Sequence, residues 1–134
     1  EANIRYNLVY LTGLAGKGKG QQNAIHTAEI FNQLHPFTIN FVSLTVFPES
    51  ELYQEIQEGK FTEASEHERL LELRAFISAL NIRTTLLGNT VSNIIPFVGM
   101  IPDDKVRILN ELDAAILQNS EIELKRYRNG ISSL

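Results

Sequence analysis

The sequence contains no cysteine and no tryptophan, and it has one methionine and four prolines among 134 residues. Without cysteine, the chain cannot form a disulfide, a thiolate zinc site or a cysteine-ligated iron–sulfur cluster from its own residues. It also lacks a run of about 20 apolar residues, the length that a membrane-spanning helix requires. The first residues match neither a methionine start nor a secretory signal, and we expect a cytoplasmic protein that has no membrane partner.

Charged residues are few and slightly acidic in balance. Twelve Lys and Arg stand against 16 Asp and Glu, so the formal net charge is −4, and 43% of the residues are hydrophobic. This composition is typical of a soluble globular domain, and the length suits one domain that buries its own core. Because the acidic balance repels phosphate backbones, we expect no nucleic-acid partner.

Apolar runs and helical spacing predict an alternation of strands and helices. Runs rich in strand-forming residues predict three strands. Apolar residues at helical spacing predict four helices, the third of which opens with a capping-box pattern. The predicted strands are 7–11, 38–47 and 82–87, and the predicted helices are 21–34, 51–58, one opening at 65 and one beginning after 104.

This order predicts an α/β fold with three parallel strands and covering helices, because such alternation implies right-handed crossovers. The strand at 38–47 is apolar on both faces, and we expect it to be buried on both sides. Residues 88–101 are predicted to be a long loop. The domain is predicted to span 1–117, followed by a polar C-terminal tail at 118–134 that is frayed or partly helical. Three strands leave both edges exposed, which favours part of a larger sheet or barrel.

A glycine-rich loop follows the first predicted strand. Gly13, Gly16, Gly18 and Gly20 lie between that strand and a helix, a geometry that suits anionic or polar ligands. The spacing fits a P-loop as far as Lys19, but Gly20 stands where Ser or Thr would hold Mg²⁺. The loop therefore indicates either a flexible strand-to-helix turn or a non-catalytic nucleotide- or phosphate-binding module.

Two segments together resemble a known family. They are Gly13-Leu14-Ala15-Gly16 at the end of a strand and Leu44-Thr45-Val46-Phe47-Pro48-Glu49-Ser50-Glu51-Leu52-Tyr53 about 30 residues later. This ordered pair resembles the C-terminal half of a radical S-adenosylmethionine (radical SAM) domain. Further similarity at 16–20, 26–28, 92–93 and 102–105 resembles an uncharacterised bacterial branch described as Fe–S oxidoreductases, and it covers most of residues 7–117.

The resemblance implies a six-stranded partial (β/α) barrel of the TIM type, in which this chain supplies the last three strands. In the family, a loop with three cysteines binds a [4Fe–4S] cluster that reduces SAM to a 5′-deoxyadenosyl radical. This chain has none of that loop, so the resemblance implies a C-terminal fragment of an enzyme, inactive by itself. It implies no catalytic residue and no metal ligand within the chain.

The resemblance also assigns binding residues by position. The strand-end motif that packs on the SAM adenosine corresponds to Leu11, Thr12, Gly13, Leu14, Ala15 and Gly16. The region beside the adenine corresponds to Leu44, Thr45 and Val46. The chain departs from the family pattern where Ala15 replaces Pro, Lys17 replaces Glu and Glu49 replaces Gly.

Polar residues after the third predicted strand are candidates for substrate contact. Asn89, Ser92 and Asn93 would lie at the end of the barrel that carries the active site. The alternative is turn chemistry, because Asn and Ser bond their own backbone in such loops.

The remaining polar candidates have weaker patterns. His26 could hydrogen-bond the glycine-rich loop, and Lys17 and Lys19 could meet an anionic group. Arg69 and Arg74 are predicted to pair with Glu66, Glu72 or neighbouring residues on a solvated helix face. An exposed sheet edge near residues 6–11 favours a homodimer.

Overall fold

A computed structural model of the chain describes residues 4–133. The described residues form four strands and five helices. The strands are β1 (Asn7–Thr12), β2 (Thr38–Ser43), β3 (Thr84–Gly88) and β4 (Phe97–Ile101). The helices are α1 (Gly20–Phe31), α2 (Glu51–Gln57), α3 (Glu66–Ala79), α4 (Lys105–Gln118) and α5 (Glu121–Asn129).

The strands form one open mixed sheet in the order β1-β2-β3-β4. β1, β2 and β3 are parallel, as the alternation of elements predicts, and neighbours in the chain are neighbours in the sheet. β4 pairs antiparallel with β3. The prediction of three strands was therefore one strand short, while the α/β class is confirmed.

β4 lies inside residues 88–101, which the sequence predicted to be a loop. Its residues alternate between buried and exposed, as a strand with one covered face requires. The sequence predicted a loop here because the segment contains turn-forming residues, among them Gly99 at the centre of the strand. A Cβ on Gly99 would lie 2.9 Å from Ile108 Cδ1. The glycine therefore lets α4 approach the strand closely, a packing role that sequence reasoning mistook for a turn signal.

The core lies on one face of the sheet. Phe76 of α3 stacks on Tyr10 of β1, with ring centroids 4.2 Å apart, and meets Phe41 of β2 edge-on at 5.6 Å. Ala24 and Ala28 of α1 join the same core. Ile108, Leu112 and Ala115 of α4 also belong to it. The helices that supply this core thus cover the same face of the sheet.

The opposite face, called the open face below, stays at least partly exposed along every strand. The expectation that the strand at 38–47 is buried on both sides was therefore wrong: β2 ends at Ser43, and only alternate residues are buried. None of the side chains on the open face is charged. They are Asn7, Val9, Leu11, Thr38, Asn40, Val42, Thr85, Leu87, Val98 and Met100.

The predicted C-terminal tail contains helix α5, which agrees with the helical alternative of that prediction. Ser120 caps α5 by accepting a hydrogen bond from the Glu123 N–H. Leu124 and Arg128 are buried. No helix within residues 4–133 is long and apolar enough to cross a membrane.

Candidate functional site at the carboxyl end of the sheet

Two polar side chains lie together at the carboxyl ends of β1 and β2. One is Thr12, a predicted binding residue, and the other is Ser43, which precedes the predicted residue Leu44. Thr12 and Ser43 pair in register and are 3% and 4% exposed. Beyond them the chains stay joined, since the Leu44 N–H donates to the Thr12 carbonyl at 2.9 Å. Both side chains face the helix-covered side of the sheet, because both continue the buried alternation of their strands.

Two buried arginines converge on Ser43. Its hydroxyl oxygen accepts hydrogen bonds from Arg69 Nη1 at 3.2 Å and from Arg128 Nη2 at 3.0 Å. Arg69 also donates to the Leu44 carbonyl. It forms an ion pair with Glu63 at 3.2 Å. Burial lowers the pKa of Arg69 below its usual value. Arg69 pairs with Glu66 at 3.8 Å, as predicted, but the pair is buried rather than on a solvated helix face. Arg74 is half-exposed, as predicted, but its partner is Asp113 of α4 rather than Glu66 or Glu72.

Arg128 connects α5 to α3, to the end of β2 and to the loop after β3. Its guanidinium donates two hydrogen bonds to the buried carboxylate of Glu66, one at 3.0 Å and one at 3.2 Å. It also donates to Thr45 Oγ1 at 2.9 Å and to the Ser92 carbonyl at 2.7 Å. Thr45 and Ser92, assigned to different roles from the sequence, therefore share one partner. This partner comes from the segment that the sequence predicted to be a tail.

The polar residues after β3 are held by the protein itself. Ser92 Oγ accepts the Ser43 N–H at 3.1 Å, and Asn93 Nδ2 donates to the Phe41 carbonyl at 2.7 Å. Ser92 and Asn93 are buried, whereas Asn89 is exposed. Asn93 also makes turn contacts, because its N–H donates to the Thr90 carbonyl at 3.0 Å and its Nδ2 to Thr90 Oγ1 at 2.9 Å. Turn chemistry therefore accounts for only part of these contacts, since the bonds to Ser43 and Phe41 join residues that are distant in the chain. Their predicted contact with a substrate stays a prediction.

The glycine-rich loop uses its backbone N–H groups within the protein. The Gly13 N–H donates to Glu72 Oε1 at 3.0 Å, and the Gly18 N–H donates to Glu68 Oε1 at 2.8 Å. The N–H groups of Gly16, Lys17 and Lys19 donate to backbone carbonyls. In this conformation, none of the five is free to bind an anion. His26, proposed as a partner of the loop, is exposed on α1 and makes no hydrogen bond to it among the described residues.

The Arg69 guanidinium occupies the space that a side chain at position 13 would need. The φ of Gly13 is +87°, and a Cβ there would lie 3.1 Å from Arg69 Cζ. A small residue at this strand end was expected to let a ligand approach the backbone closely. In the structure, the group that approaches Gly13 is the Arg69 guanidinium of the same chain.

Glu72 is the buried carboxylate beneath the loop. It is 0% exposed and accepts the Tyr10 hydroxyl at 2.5 Å in addition to the Gly13 N–H. Burial raises the pKa of Glu72, and these two hydrogen bonds only partly oppose that shift. The pKa of Tyr10 is also raised, first by burial and then by its bond to Glu72. The pair ties β1 to α3 and to the loop.

The cavity among these groups is small. It measures about 20 Å³ and is lined by Thr12, Ser43, Arg69, Asn93 and Arg128 among others. A space of this size holds about one water molecule. Every buried side-chain nitrogen and oxygen among the described residues has a hydrogen-bond partner. The helix side of the strand ends therefore works as a clamp between strands and helices.

The residues predicted to bind the cofactor are spread over separate surfaces. Ala15 and Gly16 line a cavity of about 450 Å³ together with Lys17, Lys19 and Lys60. Thr45 and Val46 line another, of about 380 Å³, between α2 and α5. Leu11 and Leu44 are half-buried, and Leu14 is 57% exposed. The assignment of these residues to SAM binding stays a prediction.

Sequence reasoning missed the charged members of the clamp. Glu66, Arg69 and Glu72 recur every three residues on α3, beside Leu70 and Leu73, so they continue the apolar stripe. That shared face was the available signal, because a charge on a buried stripe needs a buried partner. Arg128 gave no such signal, since it follows a polar segment.

No group of three or more His, Cys, Asp or Glu in the described part of the chain could hold a metal ion. Comparison of the chain with protein-family models, with curated proteins and with solved structures finds no significant match.

Proposed function

We propose that this chain is the C-terminal half of a radical SAM partial barrel, as its strand-end motifs suggest. The parent would be a cytoplasmic iron–sulfur oxidoreductase that forms a 5′-deoxyadenosyl radical from SAM and acts on a small-molecule or other substrate. By itself, this chain would be catalytically inactive.

The observation that carries the proposal is the winding of the sheet. β1, β2 and β3 are parallel and adjacent in chain order. Right-handed crossovers that always advance in one direction place every connecting helix on the same face. That is the arrangement of a (β/α) barrel wall, whereas a doubly wound sheet reverses direction and is covered on both faces. The common core of α1 and α3, which lie in those crossovers, supports the barrel interpretation.

The character of the open face also supports the proposal. A solvent-facing sheet surface in a chain with 21% charged residues would be expected to carry charges, and this one has none. Val9, Leu11, Val42 and Leu87 are apolar on this face. An uncharged and largely apolar face suits the inner wall of a barrel.

Within this proposal, the adenosyl group would lie on the open face rather than on the helix side of the strand ends. On the helix side, Arg69 and Arg128 fill the strand ends and leave about 20 Å³. On the open side, Leu11 is half-exposed at the end of β1, and Val42 is half-exposed near the end of β2. If SAM binds this chain, we expect contacts at these side chains and at Leu44, rather than at the hydroxyls of Thr12 and Ser43.

The cluster cannot be held by this chain, because the sequence has no cysteine to ligate it. Its ligands must come from the part of the barrel that the proposal places before β1. The alternative function, a phosphate-binding module built on the glycine-rich loop, has less support. Five backbone N–H groups of that loop already donate to protein atoms.

The test begins with the reading frame that precedes this chain in its gene. We expect it to encode a Cys-x3-Cys-x2-Cys motif. The longer protein, reconstituted with iron and sulfide without oxygen and then reduced, should convert SAM to 5′-deoxyadenosine, and the 134-residue chain should not.

Two variants on the open face locate the SAM site in the longer protein. Leu11→Asp should abolish the cleavage, because it places a charge at the carboxyl end of the wall. Thr85→Asp, near the amino end of the same face, should retain it. A reading frame without the three cysteines, or a reconstituted protein that leaves SAM intact, would overturn the proposal.

A further inference from the structure

Another cavity lies at the opposite end of the sheet from the clamp, where the parallel strands begin. It measures about 320 Å³, which is within the range of small-ligand sites. Its lining comes from the segment before β1, from the turn between α1 and β2, and from β3 and β4. We call it the amino-end cavity and define it by Arg5, Tyr6, His35, Phe37, Arg83 and Met100.

The amino-end cavity gathers basic side chains in an acidic protein. Arg5, His35 and Arg83 come from three separate segments of a chain whose net charge is −4. Within residues 4–133, the one ion pair that these three side chains form joins Arg83 to Asp103 at 3.4 Å, with both side chains about two-thirds exposed. Such an exposed pair is weak and is readily exchanged for a stronger anion.

One wall of the cavity suits a planar ring. Arg5 Cζ lies 5.0 Å from the centroid of the Phe37 ring, a cation–π contact that holds the guanidinium beside the aromatic face. Phe37 is 54% exposed, Tyr6 is 39% exposed and Met100 is 48% exposed. These side chains offer apolar surface next to fixed positive charge, and within residues 4–133 that surface is only partly covered.

The backbone at this cavity is also unusual. His35 has a φ of +50°, a left-handed conformation that residues other than glycine adopt infrequently. It precedes Pro36, which restricts the turn further. A constrained turn of this kind holds the imidazole-bearing residue at the rim of the cavity without a helix or strand to support it.

We propose that the amino-end cavity binds a phosphate monoester attached to an aromatic ring, such as a mononucleotide. The phosphate would accept hydrogen bonds from Arg5 and Arg83, because guanidinium groups match phosphate oxygens in geometry and charge. The ring would lie against Phe37 and Tyr6. This inference does not depend on the proposed radical SAM function, and it concerns neither the glycine-rich loop nor the clamp.

The test uses the 134-residue chain and three probes: AMP, inorganic phosphate and adenosine. In ¹H–¹⁵N NMR titrations, AMP should shift the amide signals of Arg5, Phe37 and Arg83. AMP should bind more tightly than either of the other probes, because only AMP offers both the phosphate and the ring. Shifts confined to residues 13–20 would place the site at the glycine-rich loop and overturn the proposal.

Matched variants separate a built site from general attraction between charges. Arg5→Ala and Arg83→Ala should each weaken AMP binding about tenfold, as expected for a lost hydrogen bond between charged groups. Arg126→Ala removes the same charge from an exposed position on α5 and should leave binding unchanged. Phe37→Leu should weaken the binding of AMP but not that of inorganic phosphate. Equal losses for Arg126→Ala and Arg5→Ala, or no AMP binding at millimolar concentration, would refute the site.

Discussion

The carboxylate of Glu66 and the guanidinium of Arg128 form a buried pair joined by two hydrogen bonds across 62 residues of chain. Their side chains are 4% and 5% exposed. Glu66 stands at the first turn of α3 and Arg128 near the end of α5. Because Arg128 also reaches Thr45 and Ser92, this one pair positions α5 over the carboxyl ends of the strands.

Removing the carboxylate of this pair should strongly destabilise the protein. Glu66→Gln leaves Arg128 buried without its counter-charge and also removes the negative charge that lies 3.8 Å from Arg69 Nε. We expect a loss of about 3–5 kcal/mol in the free energy of unfolding, the usual cost of breaking one side of a buried ion pair. Urea denaturation followed by circular dichroism measures it.

The control for this variant is Asp113→Asn, which breaks the Arg74–Asp113 pair at side-chain exposures of 40% and 43%. It should cost less than about 1 kcal/mol. If the two variants are equally stable, the buried pair does not hold α5 as described.

Two glycines in the same loop separate backbone strain from contact with Arg69. Gly13 and Gly18 have φ values of +87° and +77°, so alanine is strained at both. A Cβ at Gly18 has no atom within 4 Å, whereas one at Gly13 meets the Arg69 guanidinium. We expect Gly18→Ala to cost about 1–2 kcal/mol, and Gly13→Ala to cost about 1–3 kcal/mol more than that. Thermal denaturation of both variants tests the difference, and equal costs would contradict the tight contact.

The buried carboxyl of Glu72 should make stability depend on pH in a defined direction. Because its pKa is raised in the folded protein above the ordinary 4.5, the folded state holds the proton at pH values where the unfolded chain has lost it. The contribution of Glu72 to the free energy of unfolding is therefore greatest below about pH 4.5. It falls as the pH rises through the pKa of the folded state.

The variant Glu72→Gln cannot titrate, so the stability difference between wild type and this variant should shift in favour of the variant as the pH rises from about 4.5 to about 8. Urea denaturation across that range measures the difference. Glu111→Gln, on the exposed surface of α4, makes the same substitution at an exposed position and is the control. If the stability difference between wild type and the Glu72→Gln variant stays constant with pH, the raised pKa is wrongly assigned to this carboxyl.

The two faces of the sheet should differ in how well they tolerate a new charge. Val9 is 61% exposed on the open face, and Ile39 is 0% exposed beneath the helices. Val9→Lys should change the free energy of unfolding by less than about 0.5 kcal/mol, because its ammonium stays in water. Ile39→Lys should leave the chain unfolded, because it buries an unpaired charge. Circular dichroism of the two variants distinguishes these outcomes, and a folded Ile39→Lys variant would contradict the covered face.

Val9 also lies on β1, the edge strand, where the sequence favours a homodimer. If the chain pairs through this edge, Val9→Lys should convert the dimer to a monomer in sedimentation velocity, because lysine on an edge strand opposes pairing. A wild-type chain that is monomeric at every concentration would refute the dimer.

Local patterns in the sequence determined most of the elements. The apolar runs placed β1, β2 and β3, and the Ser65 capping box placed the start of α3. These features depend on neighbours a few residues apart, which is why the chain reveals them directly. The α/β class followed from the order of the elements.

Tertiary structure alone decided the partners of the charged residues. Nothing near Arg128 in the chain indicates that it meets Ser43, 85 residues away, or that Gly13 leaves room for Arg69. Both contacts arise because parallel strands end at one edge of the sheet, where α3 and α5 meet. The sequence by itself specified three of the four strands and the first four helices through short-range periodicity. The fold decided which face is covered and which charges are buried, because these depend on residues that only folding brings together.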